Sequence, residues 1–248
     1  MKIIDVDKSN VDAKGFFCYM SKRKEAGFQR KMDWIKKRFG EGMKLKILEL
    51  PDRGFIEYIP GEYCWRAVDA GGYMFIHCLW VVGKSKGKGY AEALLEECIR
   101  DAEKAKMNGV AMVTSEKVWL IKKKYLEKHG FECVDETAPS FSLMVKKFKK
   151  APLPSFIDNT NMIKRKFKDG LTVMRTDQCP YNEDATAAVM RAAKKADIKC
   201  RVVELQSAQD VRDLSPSPYG TFGIIQNGEL LRYHYMLEKD LLPLLKKQ

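Results

Sequence analysis

Tyr73-Met74-Phe75-Ile76-His77-Cys78-Leu79-Trp80-Val81-Val82, followed by Gly83-Lys84-Ser85-Lys86-Gly87-Lys88-Gly89-Tyr90-Ala91, decides how the chain is read. The first ten residues are an apolar run of strand length. Beyond the loop, Ala91, Leu94, Leu95, Cys98, Ile99, Ala102 and Ala105 recur at steps of three and four, which puts them on one face of a helix. Strand, glycine-rich turn and helix are therefore expected in that order. Such a turn leaves backbone N–H groups unpaired at a helix N-terminus, and the macrodipole adds partial positive charge there, so a phosphate is stabilised.

Two common phosphate motifs do not fit. A Walker A loop needs a glycine five residues before the Gly-Lys-Ser, and Cys78 holds that place. A dinucleotide fingerprint needs a third glycine three residues beyond Gly89, where Glu92 stands. What remains is Lys84-x-x-Gly87-x-Gly89. It resembles the Arg/Gln-x-x-Gly-x-Gly/Ala loop with which GNAT acetyltransferases grip the pyrophosphate of acetyl-coenzyme A, Lys84 standing where the family has Arg or Gln. Taken alone, the loop leaves an ordinary strand-to-helix turn open as the alternative.

Outward from this stretch, residues 2–6 read as a short strand and residues 15–20 as a short aromatic helix. A longer helix starts at Gly27, carries Phe28, Met32, Ile35 and Phe39 on one face, and is closed by Gly40. Residues 45–50 and 54–59, around Pro51-Asp52-Arg53, form a strand pair, and residues 65–68 extend the sheet toward Tyr73. After the long helix come a strand at 109–114, a helix at 118–129, and two strands at 130–134 and 141–145. This order resembles that of the GNAT fold over residues 1 to about 148. Lys128-His129-Gly130-Phe131 also resembles the turn that ends the family's second cofactor-facing helix.

The resemblance implies an acetyl-CoA-dependent N-acetyltransferase in which an amine of a small molecule or peptide attacks the thioester directly. Leu79, Trp80 and Val81 would meet the pantetheine where their strand splays from the strand at 110–114. Lys84, Ser85, Lys86, Gly87, Lys88, Gly89, Tyr90 and Ala91 would hold the pyrophosphate, the glycines letting it approach the backbone. Transfer also needs a base for the amine and a proton for the departing thiolate. Glu57 and His77 are the base candidates, with a solvent-facing glutamate and a hydrogen-bonded core histidine as the alternatives. Many members carry a tyrosine five residues before the phenylalanine of Gly-Phe, and here that place is Leu126. Tyr125, about 100° around the helix, is the candidate acid, a packed tyrosine being the alternative. Trp65 and Arg66 are expected to line the acceptor pocket.

Pro139, Pro152, Pro154 and the lysines after Val145 mark a boundary. The expected division is a domain at 1–148, a linker at 149–165 and a second domain at 166–248. In the latter a strand at 171–175 precedes a helix packing Ala185, Ala188, Val189, Ala192 and Ala193. A strand at 200–205, a short helix capped by Ser207 and Asp210, a hairpin around Asn227-Gly228 and a final leucine-rich helix follow. With Cys179-Pro180-Tyr181 at the start of its first helix, this resembles the thioredoxin and glutaredoxin fold. Cys179 would lie at a helix N-terminus, a position that favours the thiolate, but Asn182 stands in place of a second cysteine and Gly220 in place of the usual cis-proline. A GNAT domain followed by such a module resembles the YoaP-like acetyltransferases. The expected class is thus α/β, a GNAT fold with a mixed sheet plus a smaller thioredoxin-like domain. A monothiol redox or thiol-conjugating protein using Cys179, and a non-catalytic CoA-binding interaction protein, are the alternatives.

Composition sets the outer limits. The 248 residues, 45% hydrophobic, can bury one large core or two ordinary ones. No apolar run approaches the roughly 20 residues of a membrane span, and residues 1–5 lack a signal-peptide core, so a cytoplasmic protein without a membrane partner is expected. Seven scattered cysteines with no Cys-x-x-Cys pair argue against a disulfide framework and against a metal site. The net charge of +12 lies in clusters such as Lys22-Arg23-Lys24 and Lys122-Lys123-Lys124, which read as solvated faces. No recognisable nucleic-acid module accompanies them, and a homo-oligomer is left open.

Overall fold

The computed structural model describes residues 1–245; residues 246–248, the end of the expected second domain, lie outside the described residues. The chain forms two compact units assembled from discontinuous segments. Unit 1 comprises Met1–Met20, Met32–Cys64 and Val68–Phe156, and unit 2 comprises Ser21–Lys31, Trp65–Ala67 and the chain from Ile157 onward.

The elements up to residue 156 are β1 (Ile3–Val6), α1 (Val11–Lys14), α2 (Ala26–Arg38), β2 (Lys44–Leu48), β3 (Gly54–Pro60), β4 (Val68–Asp69), β5 (Met74–Val81), α3 (Tyr90–Lys104), β6 (Gly109–Ser115), α4 (Lys123–Glu127), β7 (Glu132–Thr137), β8 (Phe141–Lys147) and β9 (Ser155–Phe156). Seven strands make one sheet in the order β1-β2-β3-β5-β6-β8-β7. Among the described residues only β5 and β6 of this sheet run parallel, the α3 crossover returning the chain to the same end.

The apolar stripe of α3 decides one face of this sheet. Leu94, Leu95, Cys98 and Ala102 pack on Ile56, Tyr58, Met74, Ile76 and Leu79, and Leu126 of α4 joins the same core. Each of the leucine, isoleucine and methionine side chains in this set is worth about 1.5–3 kcal/mol on burial. Ala105, the expected end of the stripe, falls past the helix and is exposed.

Several local expectations are corrected. Residues 15–19 are not helical, since Gly15 (φ 65°) and Tyr19 (φ 63°) are left-handed and break the turn. A 3-10 turn at Phe39–Glu41 continues α2, and the left-handed glycine that stops it is Gly42 (φ 84°), not Gly40. Residues 65–67 form no strand, while Val68 and Asp69 pair with Phe156 and Ser155 in a separate two-stranded ribbon. The helix expected at 118–129 is confined to Lys123–Glu127; before it Trp119 is 57% exposed, while Ile121 packs against the core from a non-helical stretch. The stretch 149–165 carries β9 and most of the next helix.

Unit 2 then contains α5 (Thr160–Lys166), β10 (Leu171–Arg175), α6 (Asn182–Lys195), β11 (Cys200–Glu204), α7 (Ala208–Leu214), β12 (Phe222–Gln226), β13 (Glu229–Arg232) and α8 (Glu238–Leu245). Its sheet order is β11-β10-β12-β13, with β10 and β11 parallel across the α6 crossover and the other pairs antiparallel. Alanines 185, 188, 192 and 193 with Val189 are buried along α6. The Ser207–Asp210 capping box forms at α7. Asn227 (φ 50°) and Gly228 (φ 80°) make the hairpin turn.

Candidate active site

β5 and β6 are paired only through Met74–Val110, Phe75–Ala111 and Ile76–Met112, although β5 continues to Val81 and β6 to Ser115. The parting coincides with a bulge. Across β3, Tyr58 faces Ile76 and Glu57 faces Cys78, so His77 is the extra residue. A bulge raises the local twist and turns a strand from its neighbour. Beyond it, Leu79, Trp80 and Val81 have an edge that β6 does not use.

That edge runs straight into the glycine loop. Val82 precedes a 3-10 turn at Gly83–Ser85, and Gly89 caps α3 in the left-handed conformation. Gly83, Gly87 and Gly89 have φ of 59°, 77° and 76°, a region that costs a non-glycine residue roughly 1–2 kcal/mol. A side chain at any of the three would meet no atom within 4 Å. These glycines thus serve backbone conformation and leave the front of the loop open. The amides of Gly87 to Glu92 make no backbone hydrogen bond among the described residues, as the first turn of a helix requires.

The loop is held from behind by Asp52, which the sequence offered only as part of a turn. Its Oδ1 accepts hydrogen bonds from Ser85 Oγ (3.1 Å) and Lys88 Nζ (3.3 Å), and its Oδ2 accepts one from Tyr90 OH (2.8 Å). The Arg53 amide donates to Ser85 Oγ (3.0 Å), and the Val82 amide donates to the Arg53 carbonyl (3.1 Å). The bond from Tyr90, with those from Ser85 and Lys88, holds the Asp52 carboxyl below its ordinary range. No spacing rule links a turn residue to a loop 33 to 38 positions away, so sequence patterning carries no signal for it.

The proton-handling candidates divide between the two faces of the sheet. Ile56, Tyr58 and Ile76 point into the core under α3, so Glu57 points to the other face. There its Oε1 lies 3.4 Å from Nδ1 of His77, and each residue is 1% exposed. The rings of Trp34 and Phe75 lie 5.9 and 6.0 Å from the imidazole. Glu57 is therefore not a solvent-facing strand residue. On the α3 face, Tyr125 packs against the core with its ring 4.7 Å from His129. Its hydroxyl is buried and has no hydrogen-bond partner among the described residues. Burial, reinforced by the charge of Glu92, pushes the phenol up to about 12. Leu126, at the position the family pattern would give to tyrosine, is wholly buried core.

A curated protein of Bacillus subtilis (strain 168), the uncharacterized N-acetyltransferase YoaP, is 30% identical to this chain over 240 residues, 95% of each. The chain belongs to the YoaP-like N-acetyltransferases. No family model matches it. Similar solved structures include a GNAT-family acetyltransferase of Staphylococcus aureus Mu50 (TM-score 0.45, 13% identity, 60% of this chain and 99% of that one). They also include the PaiA N-acetyltransferase of Thermoplasma acidophilum in complex with coenzyme A (0.42, 14%, 60% and 100%) and the aminoglycoside 6′-N-acetyltransferase of Enterococcus faecium (0.43, 14%, 61% and 99%).

In this YoaP-like N-acetyltransferase, Trp65 and Arg66 belong to unit 2, and Glu57 and His77 to unit 1. Arg66 Nη1 donates to the Trp65 carbonyl (2.8 Å) and to Oε1 of Gln178 (2.5 Å). A Cβ at Gly220 (φ 74°) would sit 2.5 Å from the Trp65 carbonyl oxygen, so the close approach of this segment requires glycine there. Cys179 is half-buried in the turn before α6, its carbonyl accepting from the Asn182 amide (3.1 Å). Asn182 Nδ2 donates to the carbonyls of Thr176 (2.9 Å) and Thr221 (2.7 Å), which is the work the side chain does in place of a thiol. Among the described residues no cluster of three or more His, Cys, Asp or Glu side chains could hold a metal ion, and no helix is long and apolar enough to cross a membrane.

Proposed function

We propose that acetyl-CoA lies in unit 1 of this N-acetyltransferase with its pantetheine along the open edge of Leu79, Trp80 and Val81 and its pyrophosphate on the loop from Lys84 to Ala91. One observation carries this reading: β5 leaves β6 after three residue pairs and leads directly into a left-handed glycine loop at a helix N-terminus. An extended amide-bearing arm needs free strand backbone, and a diphosphate needs free amides beside it. Here the two are consecutive in the chain.

The chemistry follows from the two faces. An acceptor amine, of a small molecule or a peptide, loses a proton toward the Glu57–His77 pair and attacks the thioester carbonyl carbon. The tetrahedral intermediate collapses with cleavage of the C–S bond, and the thiolate takes a proton from Tyr125. A phenol pushed up to about 12 holds its proton at neutral pH and has it to give. A thiolate leaving in the same desolvated space is destabilised too, which narrows the gap between donor and acceptor. The test is acetyl-CoA consumption with thiol release across an amine panel, for the unaltered chain, Tyr125→Phe and Cys179→Ser. Turnover that survives Cys179→Ser and falls in Tyr125→Phe supports this reading; absence of any stabilisation by acetyl-CoA would sink it.

A second reading concerns unit 2. The order β11-β10-β12-β13 with one parallel pair, and Cys179 in the turn before α6, favour a thioredoxin-like module that serves recognition of the acceptor. Loss of all activity in Cys179→Ser, with Tyr125→Phe unaffected, would instead favour a thiol-based reaction. The domain division at 1–148 and 166–248 belongs to the same proposal, as does a cytoplasmic location, where scattered cysteines stay reduced.

A further inference from the structure

A carboxylate behind a loop built to receive a diphosphate is electrostatically the wrong sign unless it is doing something for the loop. Asp52 is fully engaged: both of its oxygens accept bonds, and all three donors, Ser85, Lys88 and Tyr90, come from the loop and the first residue of α3. Ser85 is buried (4% exposed) and turned toward Asp52 and the Arg53 amide, so its hydroxyl is not offered to a ligand. Lys88 is paired with Asp52, whereas Lys84 and Lys86 are exposed and make no ion pair among the described residues. The glycines flanking these residues have open space in front of them. The side chains that could compete for the ligand are thus drawn to the back of the loop, and the amides with Lys84 and Lys86 remain at the front.

We propose that Asp52 is a positioning residue for the coenzyme: by holding Ser85, Lys88 and Tyr90 it fixes the glycine loop and the start of α3 in the conformation that receives the pyrophosphate. The proposal rests on the reading of unit 1 as the acetyl-CoA site. The carboxylate is turned to donors of the loop itself, so its removal disorders the anion site and leaves the acid, the base and the thioester edge in place. The coupling is local, because the β2–β3 turn and the end of β5 are also laced by the Val82–Arg53 backbone bond.

The experiment measures the dissociation constant of acetyl-CoA by calorimetry, and kcat at saturating acetyl-CoA, for the unaltered chain, Asp52→Ala, Asp52→Asn, Tyr90→Phe and the double variant Asp52→Ala/Tyr90→Phe. Asp52→Ala is expected to weaken acetyl-CoA about tenfold or more, with kcat held within about twofold, the split that separates binding from chemistry. Asp52→Asn, which still accepts from Tyr90, recovers most of that loss. Tyr90→Phe costs a few-fold alone and adds nothing to Asp52→Ala, since contacting residues of one network are not additive. Unchanged affinity in Asp52→Ala, a fall in kcat at unchanged affinity, or effects that multiply in the double variant would each overturn the proposal. If Asp52→Ala does not fold, Tyr90→Phe must show its few-fold affinity loss without kcat loss while Asp52→Asn stays close to the unaltered chain, or the proposal fails. Failure of the unaltered chain to bind acetyl-CoA overturns the functional reading together with this one; binding by the unaltered chain that Asp52→Ala matches overturns this one alone.

Discussion

Oε1 of Glu57 lies 3.4 Å from Nδ1 of His77, with both residues 1% exposed beneath the aromatic rings of Trp34 and Phe75. The two come together because β5 carries one residue more than β3 at this point, and that residue is His77. Removing one member of a buried polar pair leaves the other without its partner, at a cost of about 3 kcal/mol or more. Glu57→Ala is therefore expected to lower thermal stability markedly. Glu57→Gln keeps the shape, folds, and loses roughly 10²-fold in kcat if the pair moves the amine proton. A folded Glu57→Gln with full kcat would remove the pair from proton transfer and leave it a packing feature.

Tyr125 separates stability from catalysis in the opposite way. Its hydroxyl is buried and makes no hydrogen bond among the described residues, so Tyr125→Phe deletes an unsatisfied group and is expected to be neutral or stabilising by up to about 1 kcal/mol. The same variant should lose roughly 10²-fold in kcat with unchanged acetyl-CoA affinity. Thermal melts and kcat on one preparation check both; a stability loss with full kcat would make it an ordinary packed tyrosine.

The same phenol predicts a limb at alkaline pH. An unperturbed tyrosine titrates near 10, whereas burial pushes Tyr125 up to about 12. The folded chain therefore holds this proton more tightly than the unfolded chain, and the associated stability is complete below about pH 10 and lost between about pH 10 and 12. Denaturant melts across that window should show a decline that is shallower in Tyr125→Phe. Identical profiles would show that the other raised tyrosines, Tyr58 and Tyr73 among them, carry the whole effect.

Glycines in unit 1 should sort into two kinds. At Gly87 and Gly89 an added methyl meets nothing, so alanine pays only the left-handed backbone cost of roughly 1–2 kcal/mol. These variants should fold and bind acetyl-CoA poorly. At Gly61 and Gly109 a Cβ would sit 1.9 Å from the Ala70 carbonyl oxygen and 2.2 Å from that of Lys146. Alanine there should unfold unit 1 or leave it insoluble. Solubility, melting temperature and acetyl-CoA affinity distinguish the two kinds, and tight binding by Gly89→Ala would count against the loop as the anion site.

Asn182 makes restoration of a second thiol costly. Its amide donates to two carbonyls, Thr176 and Thr221; the latter also accepts from the Thr176 amide (2.9 Å), so Asn182→Cys or Asn182→Ala would take the side-chain donor from both and leave the Thr176 carbonyl without the bond it has now. Losses of about 1–3 kcal/mol are expected, the penalty of unsatisfied buried polar groups. Chemical denaturation followed by circular dichroism measures it, and an unchanged midpoint would mean that water replaces the amide.

Periodicity and backbone chemistry are local, and they determined most of what is local here. The apolar run of β5, the three- and four-residue stripe of α3 and the positive-φ glycines between them are written in consecutive residues, so the strand, the loop and the helix were legible, as were the Ser207 capping box and the Asn227-Gly228 turn. Signals that depended on having a face to bury were not. The helix expected over 118–129 shrank to Lys123–Glu127, with Trp119 57% exposed, and Trp65 and Arg66 left the sheet for contacts with Gln178 and Gly220. The candidate site needed both levels. The sequence named Glu57, His77 and Tyr125, but only the β5 bulge set the first two side by side and only core packing buried the phenol. Asp52 lies wholly on the tertiary side: a carboxylate in a turn reaches a loop more than 30 residues away through space, and no one-dimensional pattern records that distance.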